Sequence, residues 1–317
     1  MSTEDRVADV SESAHPATTG PVHGVVVGID ASPDSGPALD WAADEAVRRG
    51  VALHLAHSWS LAPYQVPSGE RGDLAENQLR AAQQLVRRDE DRARARHPGL
   101  EVDSELLSDR AVPGLVVAAG QAAVLVVGAR GRNRLASTLL GSVSQGLAVH
   151  GRCPVIVVRG AVAKAVEAAG TSVAGTSEAA VVLGAGPGEA ATVVDFAFAE
   201  AALLGAPLQV IRTWAYPMAY PGIVALPPIE GSSRADEEAA DLTEVLAAAR
   251  KAHPEVRVLT GVSLDEAEAA LVDASAGARL VVVGTERHQR RFTLPLGRVT
   301  QRVLHHAHCP VAVVPHH

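Results

Sequence analysis

The sequence predicts an α/β protein of two tandem domains, each a doubly wound parallel sheet of five strands with helices on both faces. Three observations carry this. The chain repeats itself at a shift of 156 positions: Gly28 falls on Gly184, His97-Pro98 on His253-Pro254, Gly128 on Gly284, Gly141 on Gly297 and Cys153-Pro154 on Cys309-Pro310. Between Val126 and Val158, 14 of 33 positions equal their shifted partners, where average composition gives roughly two or three by chance. Within each copy, short β-branched runs alternate with helix-periodic segments, an order that implies parallel strands joined by right-handed helical crossovers. The 317 residues suit two domains of about 150 residues each.

The elements follow in order. Residues 1–20 are rich in Ser, Thr, Ala and acids, lack the apolar stretch of a signal peptide, and read as a disordered tail. The first domain spans 21–160. Val22 to Ile29 is a buried strand. Ser35 to Arg49 is a helix closed by Gly50, and Val51 to Ser58 is the second strand. Asp73 to Arg96 is a long helix with Ala75, Leu79, Ala82, Val86 and Ala93 on its apolar face; its dense mixed charge reads as a solvated side. Leu100 to Leu107 is a strand, Val112 to Gln121 a helix and Val124 to Val127 a strand. A loop runs to Gly141, then a helix to His150, and Pro154 to Val158 is the last strand. A small, polar stretch, 161–178, reads as a linker. The second domain, 179–317, repeats this order from Ala180 to Val314.

Composition narrows the function. Hydrophobic residues are 47% and aromatics 3%, so two cores must be built from Val, Leu, Ile and Ala. A net charge of -8, from 28 basic and 36 acidic residues, argues against a nucleic-acid binder and against an anionic membrane surface. The longest apolar run, Leu115 to Ala129, is interrupted by Gly120, Gln121 and Gly128 and is too short to span a bilayer. Two cysteines make no disulfide framework, which fits a reducing, cytoplasmic setting.

In doubly wound sheets ligands bind at the carboxyl ends of the strands, where the strand order reverses. The loops after strands one and four are therefore the place for chemistry. The first reads Gly28-Ile29-Asp30-Ala31-Ser32-Pro33. The second reads Gly128-Ala129-Arg130-Gly131, nine residues, then Gly141-Ser142. Glycines there let backbone approach a ligand and expose N–H groups. Gly141-Ser142 opens a helix, whose first N–H groups and positive dipole end favour a phosphate. Asp30, at a strand end, can accept hydrogen bonds from a ligand's amino or hydroxyl group.

This pattern resembles the universal stress protein family. Gly128, Gly131, Gly141 and Ser142 match the G-x2-G-x9-G-[ST] spacing of its nucleotide-binding members. Gly28-Ile29-Asp30-Ala31-Ser32 and the closing Cys153-Pro154-Val155-Ile156-Val157-Val158 are similar to that family too. The resemblance implies an adenine-nucleotide alpha-hydrolase-like fold and ATP as ligand, with Mg2+ left open. It implies that Asp30 faces the adenine, helped by backbone groups of Ile29 and Ser58, and that Gly128 lies under the ribose. Gly131, Arg132, Gly141, Ser142, Val143 and Ser144 would surround the phosphates, mostly through backbone N–H groups, with the Ser142 and Ser144 hydroxyls contributing.

The second copy has lost the pattern: Asp30 becomes Gly186, Gly131 becomes Arg287 and Ser142 becomes Arg298. It reads as a degenerate site, with Arg298 standing where a phosphate would be held. Gly184-Ala185-Gly186-Pro187-Gly188 imitates a dinucleotide fingerprint but carries Glu189 where a small residue must pack. No G-x4-G-K-[ST] is present. His305, His306 and His308 do not share a face and read as no metal site. Cys153 and Cys309 read as buried structural thiols. Hydrolysis wants a metal-holding carboxylate near the γ-phosphate, and near the glycine loop the sequence offers Arg130, Arg132 and Arg134 but no carboxylate at all. The expectation is a non-catalytic, ATP-binding regulatory protein of the stress-response type; a weak ATPase or phosphoryl-transfer enzyme and a nucleotide-free scaffold are the alternatives. The final strands are Val-rich and uncharged, and such bare edges invite pairing. The family pairs its last strands across a dimer, which implies an intramolecular pseudo-dimer here and leaves a homodimer of the whole chain open.

Overall fold

The computed structural model describes residues 24–59, 71–131, 140–160, 179–214, 228–287 and 296–316. The first repeat runs β1 (Val25–Gly28), α1 (Ser35–Arg49), β2 (Leu53–Ser58), α2 (Arg71–Arg96), β3 (Val102–Leu107), α3 (Ala111–Ala118), β4 (Val124–Gly128), α4 (Ser142–His150) and β5 (Val155–Val158). The second runs β6 (Val181–Gly184), α5 (Ala191–Leu204), β7 (Leu208–Trp214), α6 (Pro228–Ala252), β8 (Val258–Leu264), α7 (Ala267–Ala274), β9 (Leu280–Glu286), α8 (Arg298–His306) and β10 (Val311–His316). The expected tail, the expected linker and most of the loops before α2 and α6 lie outside the described residues.

All ten strands form one sheet in the order β3-β2-β1-β4-β5-β10-β9-β6-β7-β8. Within each repeat every pairing is parallel. The repeats meet where β5 and β10 pair antiparallel, Val155 opposite Val313 and Val157 opposite Val311. The two bare Val-rich edges thus cover each other at the centre of the sheet. The outer edge β3 carries Asp103 and Glu105, and Arg94 donates to the Val102 carbonyl at 3.0 Å, charges of the kind that discourage further pairing.

The alternation of side chains across each strand divides the core in two. Val25, Val27, Leu53, Leu55, Val124, Val126 and Ile156 face α1 and α2, while their counterparts in the second repeat face α5 and α6. Val26, Leu125, Val127, Val155 and Val157 face α3 and α4. Strands buried on both faces read as continuous apolar runs, as these do. Helix α1 ends as expected: Gly50 adopts φ 65° and the Val51 N–H returns to the Ala46 carbonyl at 3.0 Å. Gly205 closes α5 in the same way, with φ 57°.

The charges of α2 are not simply solvated. Arg92 forks onto Asp40 (2.7 and 2.5 Å) and Arg96 onto Asp44 (2.6 and 2.7 Å), so two arginines one turn apart dock α2 on two aspartates one turn apart on α1. Burial works against the Asp44 carboxylate, but the bonds from Arg96 and His97 outweigh it and hold its pKa below the ordinary value.

Candidate nucleotide site

A cavity of about 200 Å³ opens at the carboxyl ends of β1 and β4, where the chain leaves the sheet in opposite directions. Nine of the ten site residues expected from the sequence line it: Ile29, Asp30, Ser58, Gly128, Gly131, Gly141, Ser142, Val143 and Ser144. Arg132 lies outside the described residues. The floor is apolar. Gly28 has no side chain because Leu115 and Val127 occupy that space, their atoms 3.0–3.3 Å from where a Cβ would stand.

The entrance loops are fixed by their own hydrogen bonds. Asp30 Oδ1 accepts from the Ser32 N–H at 2.8 Å, the Asp30 N–H donates to Ser35 Oγ at 3.0 Å, and Ser32 Oγ donates to the Arg130 carbonyl at 3.0 Å. The first and fourth strand loops are therefore tied together. Asp30 Oδ2 lies 3.7 Å from the Cβ position of Gly131, so the carboxylate reaches the glycine loop rather than standing apart from it at the far end. Ile29 is less available than expected. Its N–H bonds Ala56 O at 3.0 Å, and its carbonyl lies 2.7 Å from His57 Nδ1, which must carry the proton because a carbonyl only accepts. The carbonyl keeps one acceptor direction. Ser58 Oγ is also engaged, donating to Asp109 O at 2.6 Å, which leaves its backbone as the part that can serve a ligand.

One expectation about the glycine loop changes, that of the Ser144 hydroxyl, and two of its glycines gain a packing reason. Gly128 is required by packing: a Cβ there would come within 2.9 Å of Asp34 O and 3.0 Å of its C and Cβ atoms. The Ser144 hydroxyl is donated to Gly128 O at 2.7 Å, and Thr300 makes the same bond to Gly284 O at 3.2 Å in the second repeat. That bond clamps helix to strand in both copies and takes the hydroxyl's proton from any phosphate. Gly141 has φ -67°, a conformation open to any residue. What it provides is proximity, because its Cβ would stand 3.3 Å from Ala129 O and from Gly131 N.

The cradle itself is the start of α4. The first helical bond runs from the Gln145 N–H to Gly141 O at 3.0 Å. The N–H groups of Ser142, Val143 and Ser144 precede it and have no acceptor in the helix, so they and the positive end of the helix dipole face the cavity.

The expectation of no carboxylate near the glycine loop fails: Asp34, far from the loop in sequence, packs against Gly128 and Arg130. It is 1% exposed, and Arg130 holds both its oxygens at 2.9 and 3.1 Å, with the Gly160 N–H adding a third bond at 3.2 Å. The bond to Asp34 and its charge push the Arg130 pKa up, so this guanidinium is permanently charged beside the loop. In the second repeat Arg298 does not enter the cavity. Its side chain is 80% exposed and pairs with Glu268 at 3.1 Å. Burial raises the thiols of Cys153 and Cys309 to about 11 and about 12, so neither is a nucleophile at neutral pH.

The sequence model of the universal stress protein family matches residues 22–159 and again residues 180–315. The chain belongs to the universal stress protein family. It is 33% identical over 305 residues to a universal stress protein of Mycobacterium tuberculosis, covering 92% of this chain and 96% of that one. A universal stress protein of Mycolicibacterium smegmatis is 31% identical over 304 residues, with 92% and 97% covered. The crystal structure of a universal stress protein from Archaeoglobus fulgidus superposes with a TM-score of 0.64 at 16% identity, over 93% of this chain and 98% of that one; it shares the fold. Among the described residues, no helix of this universal stress protein is long and apolar enough to cross a membrane.

Proposed function

We propose that the first domain binds ATP and that the chain acts as a nucleotide-loaded regulatory protein with no dedicated catalysis. The observation that carries this reading is the cradle. Three helix-start N–H groups, the Ser142 hydroxyl and two closely packed glycine segments surround one cavity at the reversal of strand order. Such a place favours a phosphate through donors and dipole together. Arg130 adds a fixed positive charge at its edge.

The same geometry supports binding without hydrolysis. Phosphoryl transfer needs a metal-holding carboxylate and a group that positions the attacking water. Arg130 occupies both oxygens of Asp34, and Asp30 spends one oxygen on its own loop. Among the described residues, one free carboxylate oxygen does not fit a dedicated Mg2+ site, so a Mg2+ ion here would be held by the phosphates. The test is mass spectrometry of the nucleotide that travels with the purified protein under native conditions. ATP recovered intact is the expected result. Recovery of ADP alone would favour a slow hydrolase, and the absence of any nucleotide, together with no uptake of added ATP, would refute the reading.

A further inference from the structure

The second repeat kept its cavity. About 270 Å³ remain at the carboxyl ends of β6 and β9, against about 200 Å³ in the first. The floor is built in the same way: a Cβ on Gly184 would stand 2.7 Å from Leu271 Cδ1, as one on Gly28 would stand 3.1 Å from Leu115 Cδ1. The remaining base-end walls also correspond, with Val283 for Val127, Ala267 for Ala111 and Thr213 for Ser58.

The phosphate end keeps the helix start, with the Gln301 N–H bonded to Gly297 O at 2.9 Å as the Gln145 N–H is to Gly141 O, but its charged side chains do not correspond. Arg130 is replaced by Glu286 and Pro33 by Glu189. Glu189 lines the cavity, its carboxylate turned back onto the Gly186 N–H at 2.8 Å and the Ala190 N–H at 3.3 Å. The Arg298 guanidinium, which could have compensated, is drawn outward to Glu268. Glu189 is the only charged residue lining the cavity among the described residues. Among the described residues, a phosphate entering there would meet a carboxylate instead of a cation.

We propose that the second domain is a binding site for an uncharged nucleoside, one that carries a base and hydroxyl groups but no phosphate. Apolar walls take the flat base, and Thr213 and the Glu189 carboxylate suit ligand hydroxyls and amines. The counterpart of Asp30 is Gly186, so this site discriminates bases less than the first. The inference rests on reading the first cavity as a nucleotide site, because the walls are matched against it.

Equilibrium dialysis of the full chain with labelled adenosine and with labelled ATP tests it. The variants are Ala111→Phe and Ala267→Phe, which fill one cavity mouth each from the first turn of a helix. The wild type should take two adenosines and one ATP per chain, with ATP at least tenfold weaker than adenosine in the second site. Ala267→Phe should lose one adenosine and keep its ATP, which also shows that it is folded; Ala111→Phe should lose ATP and keep one adenosine. A wild type that takes a single adenosine, an adenosine count unchanged by Ala267→Phe, or two equal ATP sites would overturn the proposal. If ATP binds nowhere while Ala111→Phe still takes one adenosine, the first-domain reading fails and the second-domain site stands.

Discussion

The contact between the two domains buries an unusual group, and its removal has a calculable effect. Glu45 of α1 and Glu200 of α5 are both 0% exposed. Arg49 reaches both, donating to Glu45 Oε1 at 2.6 Å and to Glu200 Oε1, while Arg48 adds a bond to Glu45 Oε2 at 2.9 Å. Among the described residues, Glu200 Oε2 has no partner. Burial first, and then the neighbouring Glu45 charge, push Glu200 up from 4.5 to about 8, against the pull of Arg49 and Arg48. The folded chain therefore holds a proton that the unfolded chain releases above pH 4.5. Stability contributed by this group is full below that pH, falls as pH rises, and is gone above about 8. The slope for one proton is about 1.4 kcal/mol per pH unit. Glu200→Gln keeps the size and removes the titration. Between pH 5.5 and 7.5 the wild type should lose about 2–3 kcal/mol relative to the variant. Asp44, whose pKa is lowered, is ionised in both states throughout this window and adds no slope. Urea unfolding of both proteins at half-unit pH steps reads the difference. Parallel pH profiles would show that Glu200 is ionised in the folded protein and that the buried-proton argument is wrong.

Other outcomes follow from the site. Gly141→Val should abolish ATP binding, because its side chain enters the 3.3 Å approach to Ala129 O and Gly131 N; Ser142→Ala should cost only about 0.5–1.5 kcal/mol, or a little more for a hydroxyl bond to a charged phosphate, as calorimetry of both variants would reveal. Asp30→Ala should lower the ratio of ATP to GTP affinity if Asp30 reads the base, and an unchanged ratio in competition binding would remove that role. Gly128→Ala should destabilise the first domain, since its Cβ meets Asp34 backbone at 2.9 Å; a melting temperature equal to wild type would contradict the packing account. A fragment ending at Gly160 exposes β5 and should self-associate in sedimentation; a well-folded monomer would argue against edge-driven pairing of β5.

Much of this was legible in the sequence, for local physical reasons. Helix α1 was placed to the residue because Gly50 supplies the left-handed stop after an amphipathic run. The expected site residues line one cavity because they sit at strand ends, and strand ends are read from apolar runs and glycine punctuation. The features that were not legible depend on distant partners. The Asp34–Arg130 fork joins residues far apart in sequence and exists only because β1 and β4 are neighbours. The Glu45–Arg49–Glu200 cluster exists only because the domains pair. The docking of α2 by Arg92 and Arg96 looks, in sequence, like any solvated charge pattern. The structural use of the Ser144 hydroxyl did leave a trace: a hydroxyl persists at Thr300 in the copy whose phosphate pattern is gone.

The most direct measurement is the stoichiometry of ATP on the intact chain. Isothermal titration should give one ATP site per chain, lost in Gly141→Val and retained in Ala267→Phe. Two equivalent ATP sites, or one that survives Gly141→Val, would contradict the assignment of the phosphate cradle to the start of α4 in the first domain.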